Sequence, residues 1–413
     1  MDNGSGRRTR RRSLLSGLGA LAAVGAAGCV ESLSPGGDGG GGGDGDGDSN
    51  DGDGGGDTGV SAASGGSVIE GASNVELPVS ANQLDRGASK DAIPAIVDPI
   101  FSEDWSGFEA ELRGQFGSRE TIEPRLEEDD LVVGISREGE ARAYPLRILN
   151  WHEIVNDELG GPLLITYCPL CRSAIVAERR AGGEETRFGV SGLLFRNALV
   201  MYDEATESRW SQILSQAIQG ELTGERLEIL PSTLTTWGEW QESHPETVVL
   251  RPPPDSSTIS SGPGARDYRV NPYDGYDESE QIGIGGQFDD ERLGPKVEVL
   301  GVAVDGTARA YTANAIIEAG LIEDTVGELP IVITTTPDGT PIAWSRRVDG
   351  ETLSLSIADE RHLSGGNSRW RRGTGIAVDG PYEGQRLTQA NSVSALFWFA
   401  WLDFHPETEL YEP

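Results

Sequence analysis

The chain repeats itself, and the repeat limits what it can fold into. "VVGISREGEARAYP" from Val132 returns as "VLGVAVDGTARAYT" from Val299, and "GGPLLITYCPLCRSAIVAERR" from Gly160 returns as "GELPIVITTTPDGTPIAWSRR" from Gly327. "ESRWSQ" around Trp210 matches "NSRWRR" around Trp370, and both copies close alike, "WGEWQESHPETVVL" against "FWFAWLDFHPETELY". Self-similarity over this length means one structural unit built twice. The copies span 129–250 and 296–413, with a lead-in over 76–128 and a connecting segment over 251–295 that opens on "RPPPDSS".

Each copy reads mainly as strands. "LVVGIS" and "ARAYP" flank a short polar turn, and "VLGVAV" repeats the pattern around Asp-Gly, a hairpin signal. "LLITY" is a short buried strand. "AIVAERRAGGEETRFGV" turns at Ala-Gly-Gly, and "PIAWSRRVDGETLSLSI" turns at Asp-Gly. "PLRILNWHEIVND" has apolar residues at helical spacing and predicts one amphipathic helix, and a second helix is expected over "TTWGEWQESHP". The expected fold class is therefore α+β, rich in β: two tandem diverged copies of one unit behind a disordered tether.

Comparing the copies separates scaffold from function. Trp210 and Trp370 are kept, as are His244-Pro-Glu-Thr and His405-Pro-Glu-Thr, so these histidines are expected to close a helix rather than bind a ligand. Other features occur once. Cys168 becomes Thr336, Cys171 becomes Gly339, and His152 falls at Ala319; the stretch with Ser191, Met201, Tyr202 and Asp203 is shortened. The first copy is expected to carry the chemistry.

Cys168-Pro-Leu-Cys171 has three readings. A redox dithiol needs a thiolate of lowered pKa, but a glutaredoxin-like helix after the first cysteine conflicts with the second copy, where a turn leads into a strand. A knuckle of backbone amides around two thiolates would supply half of a metal site. His152 and Met201 would complete it, with Asp203 in reserve, a set whose softness suits copper or another soft metal. A plain disulfide is the third, usual for paired cysteines in exported proteins. Ser191, Tyr202 and Asp203 would support the pocket. A c-type haem is excluded, since Arg172 follows Cys171 where histidine is required. "GVSG" falls one residue short of a nucleophile elbow, and no phosphate loop, dinucleotide fingerprint or His-Glu-x-x-His appears.

The beginning of the chain reads as an address. Arg11-Arg12-Ser13-Leu14-Leu15 follows the twin-arginine pattern, and the apolar stretch Leu14–Ala27 is too short to span a bilayer, which takes about 20 residues. It ends at "AAGC", so residues 1–28 are expected to be a lipoprotein signal and Cys29 the lipidated residue that anchors the protein outside the cytoplasm. Residues 29–75 carry Gly, Asp and Ser with little to bury, a flexible tether. The net charge is −34, and only Lys90 and Lys296 are lysines. Residues 1–28 hold five Arg and one Asp, which leaves −38 on the remainder. Such a surface excludes nucleic acid as a partner and fits concentrated salt, which screens self-repulsion.

"HEIVND", "TYCPLCRSA", "FGVSGLL", "LVMYDEATESRWSQ", "TTWGEWQESHPETVVL" and "NPYDGYD" together resemble domain of unknown function family 3179, a family of exported or lipid-anchored bacterial and archaeal proteins. The resemblance covers about residues 80–410 and places His152, Glu153, Asn156, Cys168, Pro169, Cys171, Ser191, Gly192, Met201, Tyr202, Asp203, Trp210 and Gln212 on family motif positions. Arg172 stands where members often carry glycine. The resemblance implies no molecular function, and enzyme activity is left open.

Overall fold

Alternating, β-branched-rich segments separated by positive-φ turns produce hairpins throughout the chain. Glu138 and Gly139 (φ 53 and 84) join Leu131–Arg137 to Glu140–Pro145, and Asp305 and Gly306 (φ 50 and 75) join Glu298–Val304 to Thr307–Thr312. Two consecutive residues at positive φ give the turn whose twist matches paired strands. The turns expected at Ala-Gly-Gly and Asp-Gly occur at Gly182-Gly183 and Asp349-Gly350.

The computed structural model describes residues 75–113, 117–259 and 265–413. The signal segment, Cys29 and the Gly/Asp-rich tether lie outside the described residues. Six sheets of three to five strands are arranged as a six-bladed β-propeller. Blade I is built on Leu131–Arg137 and Glu140–Pro145, flanked by Thr233–Thr236 and Val248–Arg251. Blade II holds Ile154–Glu158, Pro162–Cys168 and Ser173–Glu178, and blade III holds Phe188–Phe195, Ala198–Asp203, Arg209–Ser211 and Gln216–Gln219. Blade IV pairs Glu298–Val304 and Thr307–Thr312 with Leu396–Phe397 and Glu409–Leu410. Blade V comprises Leu321–Val326, Leu329–Thr335 and Pro341–Ser345, and blade VI comprises Ser356–Ile357, His362–Gly365 and Ser368–Arg371. The lead-in gives Ile100–Ser102, Ile96–Asp98 and Leu84–Arg86 to blades I, II and III, and the connecting segment gives Ser257–Thr258 to blade II.

The α-helices among the described residues are short: α1 (Leu146–His152), α2 (Trp237–Ser243), α3 (Ala313–Ala319) and α4 (Trp398–Phe404). The helix expected over "PLRILNWHEIVND" stops at His152. Ile154 and Val155 are β-branched and pair with Thr166 and Ile165, while the Asn156 amide donates to Ile96 O and Phe188 O, so tertiary pairing overrides the helical periodicity. The helix expected over "TTWGEWQESHP" is α2, with Thr236 as N-cap accepting from Glu239 N.

The same contacts recur in both halves. Tyr144 and Arg142 converge on Asp157 at 2.6 and 2.7 Å, and Tyr311 and Arg309 converge on Asp324, each at 2.7 Å. Trp240 of α2 covers Gly134 and Trp401 of α4 covers Gly301, leaving no room for a Cβ on either glycine. Each indole donates to a threonine, Thr247 at 2.9 Å and Thr408 at 3.0 Å. His244 and His405 are the C-caps of α2 and α4 and stack on those indoles at 3.9 and 4.0 Å.

Gly301→Ala should lower stability by about 2–3 kcal/mol, the cost of overpacking a filled core, read as a fall in denaturation midpoint; an unchanged midpoint would show that Trp401 does not clamp the hairpin. Burial also lowers the pKa of His244 and of His405 to about 4. Between the ordinary value near 6.5 and about 4, the unfolded chain takes up protons that the folded chain refuses, so stability is lost as pH falls through that window. Each histidine should contribute about 1–2 kcal/mol, discounted from about 1.4 kcal/mol per pKa unit for its partial exposure. His405→Gln should flatten the stability–pH slope in concentrated salt, and a slope equal to that of the unmodified protein would refute this.

Candidate functional site

Pro162–Cys168 is buried along its whole length and delivers Cys168 to a turn over Pro169–Arg172. Cys171 N donates to Cys168 O at 3.2 Å, and Arg172 holds φ 57. The second half makes the corresponding turn one residue shorter. Gly339 N donates to Thr336 O at 2.9 Å, Gly339 itself takes the positive φ of 94, and the Thr336 hydroxyl donates to Asp338. The turn therefore forms without sulfur.

In the first half both cysteines are free thiols, 2 % and 0 % exposed. Burial opposes ionisation of Cys168, but a hydrogen bond from the Cys171 thiol and the amides of Leu199, Cys171 and Leu170 outweigh it, so the Cys168 thiol lies below its ordinary pKa. Burial and the neighbouring Cys168 push Cys171 well up, with the charges of Asp403 and Glu153 adding to the effect. The Cys171 sulfur also meets Asn197 O at 3.5 Å, in the turn between the first two strands of blade III. The result is an asymmetric pair, with Cys168 the easier of the two thiols to ionise.

Glu153 stands at the end of α1, where the chain turns from helix into strand. Its backbone is at φ 56, ψ −29, and its counterpart at the end of α3 is Gly320 at φ 70, ψ −38. Glycine reaches this corner freely, whereas a side chain there costs about 1–3 kcal/mol. The Glu153 carboxyl is buried, and burial, with the charge of Cys168 behind it, holds its pKa well above the ordinary carboxylate range. Its hydrogen-bond partner is the Tyr273 hydroxyl, which donates to Oε1 at 3.5 Å.

The connecting segment covers this pair. The Tyr276 hydroxyl donates to Leu170 O at 3.1 Å and accepts from Gly283 N at 2.9 Å, while Lys296 Nζ sits 3.4 Å from the centroid of the Tyr276 ring. Phe397 N of blade IV donates to Cys171 O at 3.0 Å. Arg172 reaches Glu298 at 3.1 Å and Asp277 at 3.6 Å, tying the turn to both.

Of the other residues picked out by sequence, Met201 shares the apolar cluster of the cysteines, and the rest have partners of their own. His152 is buried at the end of α1, with Nδ1 at 2.8 Å from Pro94 O and Nε2 at 2.9 Å from the Tyr268 hydroxyl. Both ring nitrogens are occupied, and burial lowers the pKa to about 4, so the ring is neutral: it donates to the carbonyl and accepts from the phenol. Met201 is buried in the same apolar cluster as the cysteines and pairs with Trp210 across its hairpin. Asp203 accepts from the Trp210 indole at 2.9 Å and from Thr206 N at 2.6 Å, which makes it a turn and tryptophan anchor. Ser191 accepts from Leu193 N across a bulge, and Tyr202 donates to Asp91; both line a cavity of about 340 Å³ with Arg86, Lys90 and Arg209. Among the described residues, no three His, Cys, Asp or Glu side chains gather to hold a metal ion.

Sequence reasoning set Glu153 on a family motif position and Tyr273 and Tyr276 within a family motif, but gave none of the three a role in the site. The available signals were the single-copy motif "NPYDGYD" and a glutamate opposite a glycine in the second half.

No curated protein and no solved structure matches the chain. The family model described as "Protein of unknown function (DUF3179)" matches residues 90–408, a span that takes in both halves, the cysteine turn and the connecting segment; the chain belongs to this family.

Proposed function

We propose that this is a lipid-anchored, extracytoplasmic protein built from two diverged copies of a three-blade unit, the first of which carries a thiol redox centre at Cys168 and Cys171. The observation that carries this reading is the thiol pair itself. Two buried free thiols stand at either end of one tight turn, the Cys168 thiol lies below its ordinary pKa, and the other half builds the same turn with Thr336 and Gly339 instead. The anchor rests on the twin-arginine and "AAGC" signals of residues 1–28 and on Cys29.

The chemistry is thiol–disulfide exchange with a partner disulfide. The Cys168 thiolate attacks one partner sulfur, the partner S–S bond breaks, and one partner thiolate leaves. Cys171 then loses its proton and attacks the Cys168 sulfur, and the second partner thiolate leaves. Two electrons pass to the partner, whose two sulfurs take up two protons, one of them from Cys171. Reactive cysteines need access, so exchange requires the Tyr273–Tyr276 cover to lift.

A second reading, favoured by the amides aimed at Cys168, is a soft monovalent cation such as copper(I) held between the two thiolates. His152 would not contribute, because both of its nitrogens are already bonded. A third assigns the cysteines to a structural disulfide in a non-catalytic envelope module.

Purified in concentrated salt, the protein should show two titratable thiols that convert reversibly to one disulfide with oxidised glutathione. Both thiol reactivity and reversibility should be lost in Cys168→Ser. A stoichiometric soft metal that blocks both thiols would move the reading to the cation site, and two thiols that appear only after unfolding and reduction would move it to the structural disulfide. Cys29→Ala should release the protein from membranes; retention on the membrane would refute the anchor.

A further inference from the structure

Blades III and VI are the same part of the repeat, and they differ in how one arginine is neutralised. In blade VI Arg369 is matched by an acid: its backbone N and its Nε meet Asp379 Oδ1 and Oδ2, each at 2.7 Å. Blade III repeats this frame. Trp210 pairs with Ala217 as Trp370 pairs with Ala377, and Gly220 and Gly380 both turn at positive φ. Arg209 therefore stands where Arg369 does, and Gln219 where Asp379 does. Arg209 Nη1 donates to Gln219 Oε1, and Gln219 Nε2 donates in turn to Val79 O. A neutral amide thus holds the guanidinium, and among the described residues no carboxylate pairs with it. The chain has 67 acidic residues against 33 basic ones, so an arginine denied the acid that the repeat supplies is a charge left open.

Arg209 lines a cavity of about 340 Å³ together with Arg86, Lys90, Leu193, Tyr202 and Glu207, a volume within the range of small-molecule sites. The lead-in carries Arg86 and Lys90 there. Gly87 N and Ala88 N donate to Gly192 O at 2.9 and 3.0 Å, an approach that a side chain would block, since a Cβ on Gly192 would lie 2.4 Å from Ala88 O. Arg86 is exposed and makes no ion pair or side-chain hydrogen bond among the described residues. Lys90 is already matched: Glu207, at a φ of 57, holds its ammonium at 2.7 and 2.8 Å over the Tyr202 ring. Asp91 and Glu204 act on the Tyr202 hydroxyl and are not part of the lining. Three cations against one acid leave this lining two positive charges in excess, on a protein whose net charge is −34.

We infer that this cavity binds a small organic oxyanion, a molecule bearing a carboxylate or phosphate group, with Arg86 and Arg209 on the charged group and Leu193 beside the remainder. Guanidinium forks match the oxygens of both groups in pairs. Such fitted contacts persist in concentrated salt, where charge alone acts only over a few ångströms.

The test titrates the protein with inorganic phosphate and, separately, with succinate in concentrated potassium chloride at constant ionic strength, followed by calorimetry. At least one of the two should saturate, phosphate pointing to a phosphate-bearing ligand and succinate to a carboxylate-bearing one. Gln219→Asp should weaken that binding about tenfold, because it gives Arg209 the acid that blade VI uses, and it should melt no lower than the unmodified protein. Arg86→Ala, which removes no contact of the fold, should weaken binding by a similar factor and decides by the same criterion should Gln219→Asp fail to fold. Arg113→Ala, at an exposed arginine outside the cavity, should bind as the unmodified protein does. Saturation by neither anion would overturn the inference, as would undiminished affinity in Gln219→Asp and Arg86→Ala. An equal loss in Arg113→Ala would overturn it too, by showing a diffuse effect of net charge.

Discussion

The contact of an indole with a bare glycine backbone organises each half of this molecule. Trp240 lies on Gly134 and Trp401 on Gly301, so the helix that ends a half is pressed onto the hairpin that begins it. That contact brings Thr233–Thr236 and Val248–Arg251 back to blade I, and Leu396–Phe397 and Glu409–Leu410 back to blade IV. Strands from far along the chain thereby flank the hairpin on both sides in each sheet, and in blade I Ile100–Ser102 of the lead-in pairs outside Val248–Arg251. A propeller blade is a small sheet with little core of its own, so the closing tryptophan adds buried contact that each hairpin otherwise lacks. The threonine that accepts from each indole and the histidine stacked on it fix the ring in one orientation, which is why Trp, His and Thr recur together at the end of both halves.

The first half carries features that cost stability and that the second half lacks. Glu153 occupies a backbone corner where the second half uses Gly320, and Arg172 takes a positive φ where the second half uses Gly339. In both places the first half replaces a permissive residue with a charged one. Arg172 ties the cysteine turn to Glu298 and Asp277, and Glu153 places a carboxyl behind it. Side chains at two left-handed corners beside the sulfurs, where the second half uses glycine, mark that turn as a place where residues answer to something other than folding.

Much of this was legible in the sequence, and the exceptions have physical causes. The hairpins, the capped helix after Thr236 and the helix-closing histidines follow from local signals within a few residues. The six-bladed arrangement does not, because strands such as Ile96–Asp98 and Ser257–Thr258 join one sheet from opposite sides of the first half, and no local pattern encodes that pairing. His152 read as a spare imidazole because its partners, Pro94 O and the Tyr268 hydroxyl, lie far away in sequence. Glu153 was hidden inside a helical periodicity that ends one residue before it. The connecting segment was given no part in the site because its motif has no second copy to compare with, yet Tyr273 and Tyr276 bond to Glu153 and to Leu170 O beside the sulfurs.

The lysines show how that cover is held on so acidic a surface. The chain has two, and each lies over a tyrosine ring: Lys90 on Tyr202 at 3.7 Å and Lys296 on Tyr276 at 3.4 Å. Concentrated salt weakens exposed ion pairs, because screening acts within a few ångströms, whereas an ammonium seated on a ring face keeps a contact that depends on fit as well as charge. Lys296 also donates to Ser279 O and Oγ, both at 3.0 Å, so it closes the loop that carries Tyr276. Tyr276 in turn bonds to Leu170 O, inside the Cys-Pro-Leu-Cys turn. One clasp thus runs from a lysine through a tyrosine to the backbone between the two sulfurs, and movement of that clasp is what would open the pair to a partner.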